Sequence, residues 1–97
     1  MQKKGLVLIV DDAPVNVTFL SWCVRDNYDF VTAATGEECL ERMSVEPYPD
    51  IILLDVCLPG IDGHETCVRL KKNPRTANIP IIFITSENEK GDEARGF

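Results

Sequence analysis

The stretch that decides the fold spans residues 51–63 and reads Ile51-Ile52-Leu53-Leu54-Asp55-Val56-Cys57-Leu58-Pro59-Gly60-Ile61-Asp62-Gly63. Its first four residues are large and apolar without polar alternation, which predicts a strand buried on both faces. The pairs Pro59-Gly60 and Asp62-Gly63 are typical of turns. Asp55 is therefore predicted to end a central strand, at the edge where open α/β sheets bind ligands. It is a candidate ligand or nucleophile; the alternative is a carboxylate that only caps its own loop.

Composition and charge limit the classes of protein. The chain has 97 residues, 44% hydrophobic and 27% charged, which predicts one domain over residues 1–97. The net charge of −6 argues against direct nucleic-acid or anionic-membrane binding. The apolar run after the N-terminus is too short for a signal peptide or a membrane span. Four cysteines without a Cys-x-x-Cys pair, and a single histidine, disfavour zinc and predict free thiols in a cytosolic protein.

Apolar runs alternate with helix-like segments along the whole chain. Strands are predicted at residues 6–10, 28–33, 51–54 and 79–85, and helices from Pro14 to before Asp26, from Gly36 to about Met43, over 63–72, and from Ser86 onward. Capping residues support two of the helix starts, because Thr35 and Glu38 have capping-box spacing and Asp62 precedes the third helix. This βαβαβαβα order predicts a parallel sheet with helices on both faces and all strand carboxyl ends at one edge.

The first predicted helix carries a clear apolar stripe. Val15, Phe19, Trp22 and Cys23 fall at positions i, i+4, i+7 and i+8, which is one face of a helix. We expect this face to pack in the core.

Polar side chains end three of the predicted strands. Asp11 and Asp12 follow the first strand, Asp55 the third and Thr85 the fourth. Clustered carboxylates repel one another, and a site rich in oxygen ligands suits Mg²⁺. A carboxylate beside Mg²⁺ can attack a phosphoryl group to form an aspartyl phosphate, and a threonine hydroxyl can donate to a phosphoryl oxygen. Thr85 is equally consistent with an ordinary strand residue and Asp12 with a helix N-cap, whereas Asp11 has no evident capping role.

The chain resembles the receiver domains of two-component response regulators over essentially its whole length. The matching motifs, in order, are Asp11-Asp12, Thr35-Gly36-Glu37-Glu38, Asp55-x-x-Leu58-Pro59-x-x-Asp62-Gly63, Ile79-Pro80-Ile81-Ile82 and Thr85-Ser86. The resemblance implies a flavodoxin-like, doubly wound parallel sheet, with order 2-1-3-4 in this chain. It also implies a cytoplasmic, non-enzymatic signalling module that assists its own phosphoryl transfer and dephosphorylation.

The resemblance implies a role for each site residue. Asp55 would be the phosphoacceptor, and Mg²⁺ would be bound by Asp12, Asp55 and the backbone carbonyl of Cys57, with Asp11 acting mainly through water. Thr85 would sense the phosphoryl group. The donor would be a phosphohistidine on a histidine kinase or phosphotransfer protein, and the receiver would switch a partner or an output domain in a longer parent chain.

Two features depart from the family pattern. The family has a fifth strand, ended by a phosphate-contacting lysine, and a fifth helix; this chain ends before them, so the domain is expected to be incomplete and to contain no such lysine. An uncovered fourth strand would then favour self-association of the 97-residue chain. The second departure is Cys57, two residues beyond the phosphoacceptor, where cysteine is uncommon. We expect only its backbone to matter.

Three alternatives remain open at the level of sequence. A haloacid-dehalogenase-like, Mg²⁺-dependent phosphatase needs Asp-x-Asp after a strand, and neither Asp55-Val56-Cys57 nor Asp11-Asp12 has that pattern. A flavodoxin would have a first loop rich in Ser, Thr and Gly to hold phosphate. A non-phosphorylated pseudo-receiver is disfavoured by the complete acidic set and favoured by the absent lysine.

Overall fold

The computed structural model describes residues 4–84. Within them, the elements in chain order are β1 (Leu6–Val10), α1 (Pro14–Val24), β2 (Asp29–Ala33), α2 (Gly36–Arg42), β3 (Ile51–Asp55), α3 (Gly63–Lys72) and β4 (Ile81–Ile84). The strands form one parallel sheet in the order β2-β1-β3-β4. This confirms the predicted flavodoxin-like order. The predicted helix from Ser86 lies outside the described residues.

The register of the two central strands places their carboxyl ends side by side. Val10 of β1 is opposite Leu54 of β3, so Asp11 and Asp55 leave neighbouring strands at the same level. On the other side, Asp55 is opposite Ile84 of β4. The functional edge of the sheet is thus set by the ends of β1, β3 and β4.

The two faces of the sheet are buried by different helices. On one face, the side chains of β1 and β3 pack with α2, α3 and the loop after β3 in a single cluster, which includes Leu8, Val10, Ala33, Cys39, Met43, Ile52, Leu54, Leu58 and Leu70. Val7 and Ile9 alternate with this set and are also buried. Because α1 contacts β1 and β2, we place it over this second face.

Two predicted helix caps are present. The Thr35 hydroxyl accepts a hydrogen bond from the backbone N–H of Glu38 at 3.0 Å, and the Glu38 carboxylate accepts from the N–H of Ala34 at 2.8 Å. Asp62 accepts from the N–H of Glu65 at 2.9 Å. These bonds satisfy N–H groups that have no partner inside the helix, and they fix where α2 and α3 begin.

The prediction for the apolar stripe of α1 is wrong. Val15, Phe19 and Trp22 are 73%, 61% and 59% exposed, and Cys23 is exposed as well. The less exposed positions lie on the opposite side of the helix, at Val17, Leu20, Ser21 and Val24. The helix is apolar on both sides, so periodicity alone identified two candidate stripes, and the path of the chain out of β1 determines which one meets the sheet.

The fourth strand is shorter than predicted. It begins at Ile81 rather than at residue 79, because Ile79 is still in a turn, where its N–H donates to the carbonyl of Thr76 at 3.0 Å. Pro80 has no N–H to donate, but its carbonyl accepts from Ile52 at 3.0 Å and starts the pairing with β3. Within residues 4–84, β4 is an edge strand, and Ile82 and Phe83 are 50% and 40% exposed.

Candidate functional site

Asp11, Asp12 and Asp55 form one cluster at the carboxyl edge of the sheet. Each offers a carboxylate oxygen, and these oxygens all lie within 4.8 Å of one another. Asp11 and Asp55 are 2% and 1% exposed, whereas Asp12 is exposed. The predicted convergence of the three carboxylates is therefore present in the structure, with two of them buried and the third open to solvent.

Asp11 is held by donors from the start of α1. One carboxylate oxygen accepts from the backbone N–H of Ala13 at 2.9 Å, and the other accepts from the Asn16 side-chain amide at 3.2 Å. Asp11 does not cap the helix, as predicted, because its bond to the N–H of the N-cap residue Ala13 closes only a turn of the loop before α1. The sequence analysis did not identify Asn16 as a site residue. Its position in the first turn of the helix, five residues after Asp11, was the available signal.

Asp55 is buried with little compensation. One of its carboxylate oxygens accepts from the backbone N–H of Cys57 at 3.1 Å, so Asp55 does cap its own loop, as the alternative interpretation holds. The pKa of Asp55 is raised from its ordinary value of 3.8 to about 6, chiefly by burial and also by the nearby Asp11 and Asp12 carboxylates, and the hydrogen bond from the Cys57 N–H opposes this rise. A carboxylate in this position needs a proton or a cation.

Asp12 is not a helix cap. The N-cap of α1 is Ala13, which has no side-chain capping bond, and Pro14 begins the helix. Within residues 4–84, the exposed Asp12 carboxylate accepts no hydrogen bond. It is the member of the cluster whose lone pairs remain available for a ligand from solvent.

The loop after Asp55 is fixed at both ends. The N–H of Val56 donates to the carbonyl of Ile84 at 3.1 Å, and the carbonyl of Val56 accepts from Gly63 at 3.0 Å. In between, Gly60 has a φ of 73°, a conformation that favours glycine. Cys57, whose backbone carbonyl the resemblance assigns to the metal, lies in this loop, two residues beyond the phosphoacceptor candidate.

The cysteines carry no disulfide in the described part of the chain. All four are free, as predicted; Cys23 and Cys57 are exposed and Cys39 is buried. Burial raises the pKa of the Cys39 thiol to about 12, which makes it an inert core residue. Thr85 lies outside the described residues, immediately after Ile84, so its role stays a prediction.

The donor set fits a hard divalent cation. Three carboxylates within a few ångströms, one of them open to solvent, match the preference of Mg²⁺ for oxygen ligands and retained waters. No histidine or cysteine side chain joins the cluster among residues 4–84, so the set does not suit zinc.

Comparison with known proteins defines the class. Residues 7–97 match the family model of the response regulator receiver domain. The chain is 41% identical over 91 residues to the response regulator PleD of Caulobacter vibrioides. It is 40% identical over 97 residues to the alkaline phosphatase synthesis transcriptional regulatory protein PhoP of Bacillus subtilis. The N-terminal domain of a response regulator receiver protein from Methanoculleus marisnigri superimposes with a TM-score of 0.81 at 37% identity, covering 96% of this chain and 76% of that one.

The chain belongs to the response regulator receiver family, a class of regulatory domains in two-component signalling. The match covers 93% of this chain but 20% of PleD, and 99% of this chain but 38% of PhoP. The chain thus corresponds to one part of such relatives. Among the helices that the structure describes, none is long and apolar enough to cross a membrane.

Proposed function

We propose that Asp55 accepts a phosphoryl group from a phosphohistidine on a histidine kinase or phosphotransfer protein. The observation that carries the proposal is the position of Asp55: it is buried at the carboxyl end of a central strand, within 4.8 Å of two further carboxylates. The receiver family supports the same reaction. The complete acidic cluster favours it over a non-phosphorylated pseudo-receiver, and family membership favours it over a phosphatase of the haloacid dehalogenase type.

Mg²⁺ would be bound by Asp12, Asp55 and the backbone carbonyl of Cys57, with Asp11 acting mainly through water. When bound, it would neutralise charge on the phosphoryl oxygens and on the cluster. Asp12, exposed and adjacent to the helix start, would supply the first contact for the ion. Asp11 accepts one hydrogen bond on each carboxylate oxygen, so it would stay in the turn before α1 and still have lone pairs free to accept from a water on the ion.

The transfer uses one carboxylate oxygen of Asp55 as the nucleophile. The oxygen attacks phosphorus, the phosphorus–nitrogen bond of the donor breaks, and the imidazole leaves with the electron pair and gains a proton. The second oxygen of Asp55 keeps the Cys57 N–H as a donor, which orients the attacking oxygen. Attack of water on the acyl phosphate would later return the carboxylate and release inorganic phosphate, a step that the receiver assists but for which it is not a dedicated enzyme.

The proposal also covers the role of Thr85, the signalling partners and the cellular location. Thr85 would donate to a phosphoryl oxygen and signal its presence to a partner or an output domain of the parent chain. A cytoplasmic location fits a donor kinase that uses ATP. The acidic charge of −6 supports protein partners over direct nucleic-acid or membrane contact for this domain. Self-association of the 97-residue chain stays a prediction, motivated by the exposed Ile82 and Phe83 of β4.

Labelling with acetyl phosphate tests the proposal. The full-length protein should gain the mass of one phosphoryl group when Mg²⁺ is present and should gain none in excess chelator. Asp55→Asn should stay unlabelled, whereas Asp29→Asn, the same charge change on the exposed first residue of β2, should label like wild type. Equal labelling of Asp55→Asn would contradict the assignment.

A further inference from the structure

Asn16 occupies a distinctive position beside the acidic cluster. Its side-chain amide reaches from α1 to the buried Asp11 carboxylate at 3.2 Å. The other oxygen of that carboxylate is bound by the Ala13 N–H, and the Asp11 backbone N–H donates to the carbonyl of Ala33 at 3.0 Å. Of these three bonds, the one from Asn16 is the only one whose donor is a side chain.

The chemistry of the amide suits a site that must still take up a cation. The terminal torsion of an aspartate is broad, so a single hydrogen bond from Ala13 leaves the carboxylate plane free to rotate. A second donor on the other oxygen fixes that plane. Because the amide is neutral, it does so without cancelling the negative charge that attracts Mg²⁺; a lysine or arginine at this position would orient Asp11 but would also replace the ion.

We infer that Asn16 is a positioning residue for Mg²⁺ binding, and that it acts by orienting Asp11. This inference rests on the proposed function, since it deepens the account of the same site. Hydrogen-bonding partners of metal ligands typically change metal affinity by about 10–100-fold when they are removed. Asp11 is expected to contact the ion mainly through water, so the effect should lie at the lower end, about tenfold.

The test is a Mg²⁺ titration of the full-length protein followed by NMR. Asn16→Ala and Asn16→Leu, which lack the donor but differ in size, should both raise the Mg²⁺ Kd by about tenfold. Thr18→Ala, an equally helix-favouring change on an exposed position of the same helix, should leave it unchanged. In wild type, the side-chain amide signals of Asn16 should shift with Mg²⁺ at the same midpoint as the backbone signal of Asp12, whereas those of the exposed Asn27 should not.

Two results would overturn the inference and leave the proposed function standing. If wild type binds Mg²⁺ but both Asn16 variants bind it within twofold of wild type, Asn16 serves the fold alone. If the Asp12 signal shifts with Mg²⁺ but the Asn16 amide signals do not, the Asn16–Asp11 hydrogen bond is not coupled to Mg²⁺ binding. Wild type that shows no response to Mg²⁺ would overturn the proposed function together with this inference, so the two failures are distinguishable.

Discussion

Gly63 packs directly against the main-chain carbonyl oxygen of Asp55. A Cβ atom at Gly63 would overlap that oxygen and would come within 2.8 Å of the Cα of Val56. The first residue of α3 is thus pressed against the backbone of the phosphoacceptor candidate. This contact explains physically why a glycine follows the capping Asp62, since any larger residue must displace either the helix or the end of β3.

Gly63→Ala should therefore damage both stability and the site. Forcing a methyl group into a close-packed position typically costs about 1–3 kcal/mol, and the displaced Asp55 should bind Mg²⁺ more weakly. Denaturant unfolding and Mg²⁺ titration measure the two effects. Val68→Ala, at an exposed position of the same helix, is the control and should change neither. A Gly63→Ala protein with wild-type stability and Mg²⁺ affinity would show that the loop accommodates the methyl group.

Asp12→Asn should weaken Mg²⁺ binding with little cost to the fold. Asp12 is the exposed member of the cluster and does not cap α1, so its removal leaves no buried group without a partner. Loss of one direct carboxylate ligand should raise the Kd for Mg²⁺ by at least tenfold, equivalent to about 1.4 kcal/mol. Calorimetric titration provides the measurement, with Asp29→Asn as the control for net charge. Equal affinities of the two variants would remove Asp12 from the metal site.

Asp55→Asn should stabilise the metal-free protein at neutral pH. The pKa of Asp55 is raised to about 6 from its ordinary 3.8, so the folded protein binds this proton more tightly than the unfolded chain does. Protonation of Asp55 therefore adds to the free energy of unfolding, and this stabilisation is lost as the pH rises through about 6. Asparagine cannot ionise, so the variant does not lose this stability as the pH rises. In chelator, the difference in Tm between variant and wild type should grow as the pH rises from about 4 to about 6, and should level off above that.

Saturating Mg²⁺ should narrow that difference, because the ion compensates the Asp55 charge in wild type. Thermal unfolding across the pH range, with and without the ion, tests both statements. A Tm difference that is constant with pH would mean that Asp55 ionises as easily in the folded protein as in the unfolded chain.

Phe19→Ala should have little effect on stability. Phe19 is 61% exposed on α1, so the free energy of unfolding should fall by less than about 1 kcal/mol. Leu70→Ala, at a buried position of α3, should lower it by about 2–5 kcal/mol. Trp22 on the same exposed side should be quenched readily by acrylamide. A large cost for Phe19→Ala in the full-length protein would show that another segment covers this face.

The sequence predicts the sheet and the acidic cluster well, because both follow from chain order. Once strands alternate with helices, the parallel topology brings Asp11 and Asp55 to one edge without any knowledge of packing. The orientation of α1 could not be predicted in this way, since Val15 and Phe19 compete with Val17 and Leu20 for the sheet and both stripes have helical spacing. The Asn16–Asp11 bond depends on that orientation, and so it was missed for the same reason.

The most direct test of the central claim is to locate the phosphoryl group itself. The full-length protein is phosphorylated with acetyl phosphate and Mg²⁺, the acyl phosphate is reduced with borohydride, and the digest is sequenced by mass spectrometry. The account predicts homoserine in place of Asp55, and unreduced aspartate at Asp11 and Asp12. Reduction at Asp11 or Asp12 with Asp55 intact, or a phosphoryl group on any other residue, would contradict it.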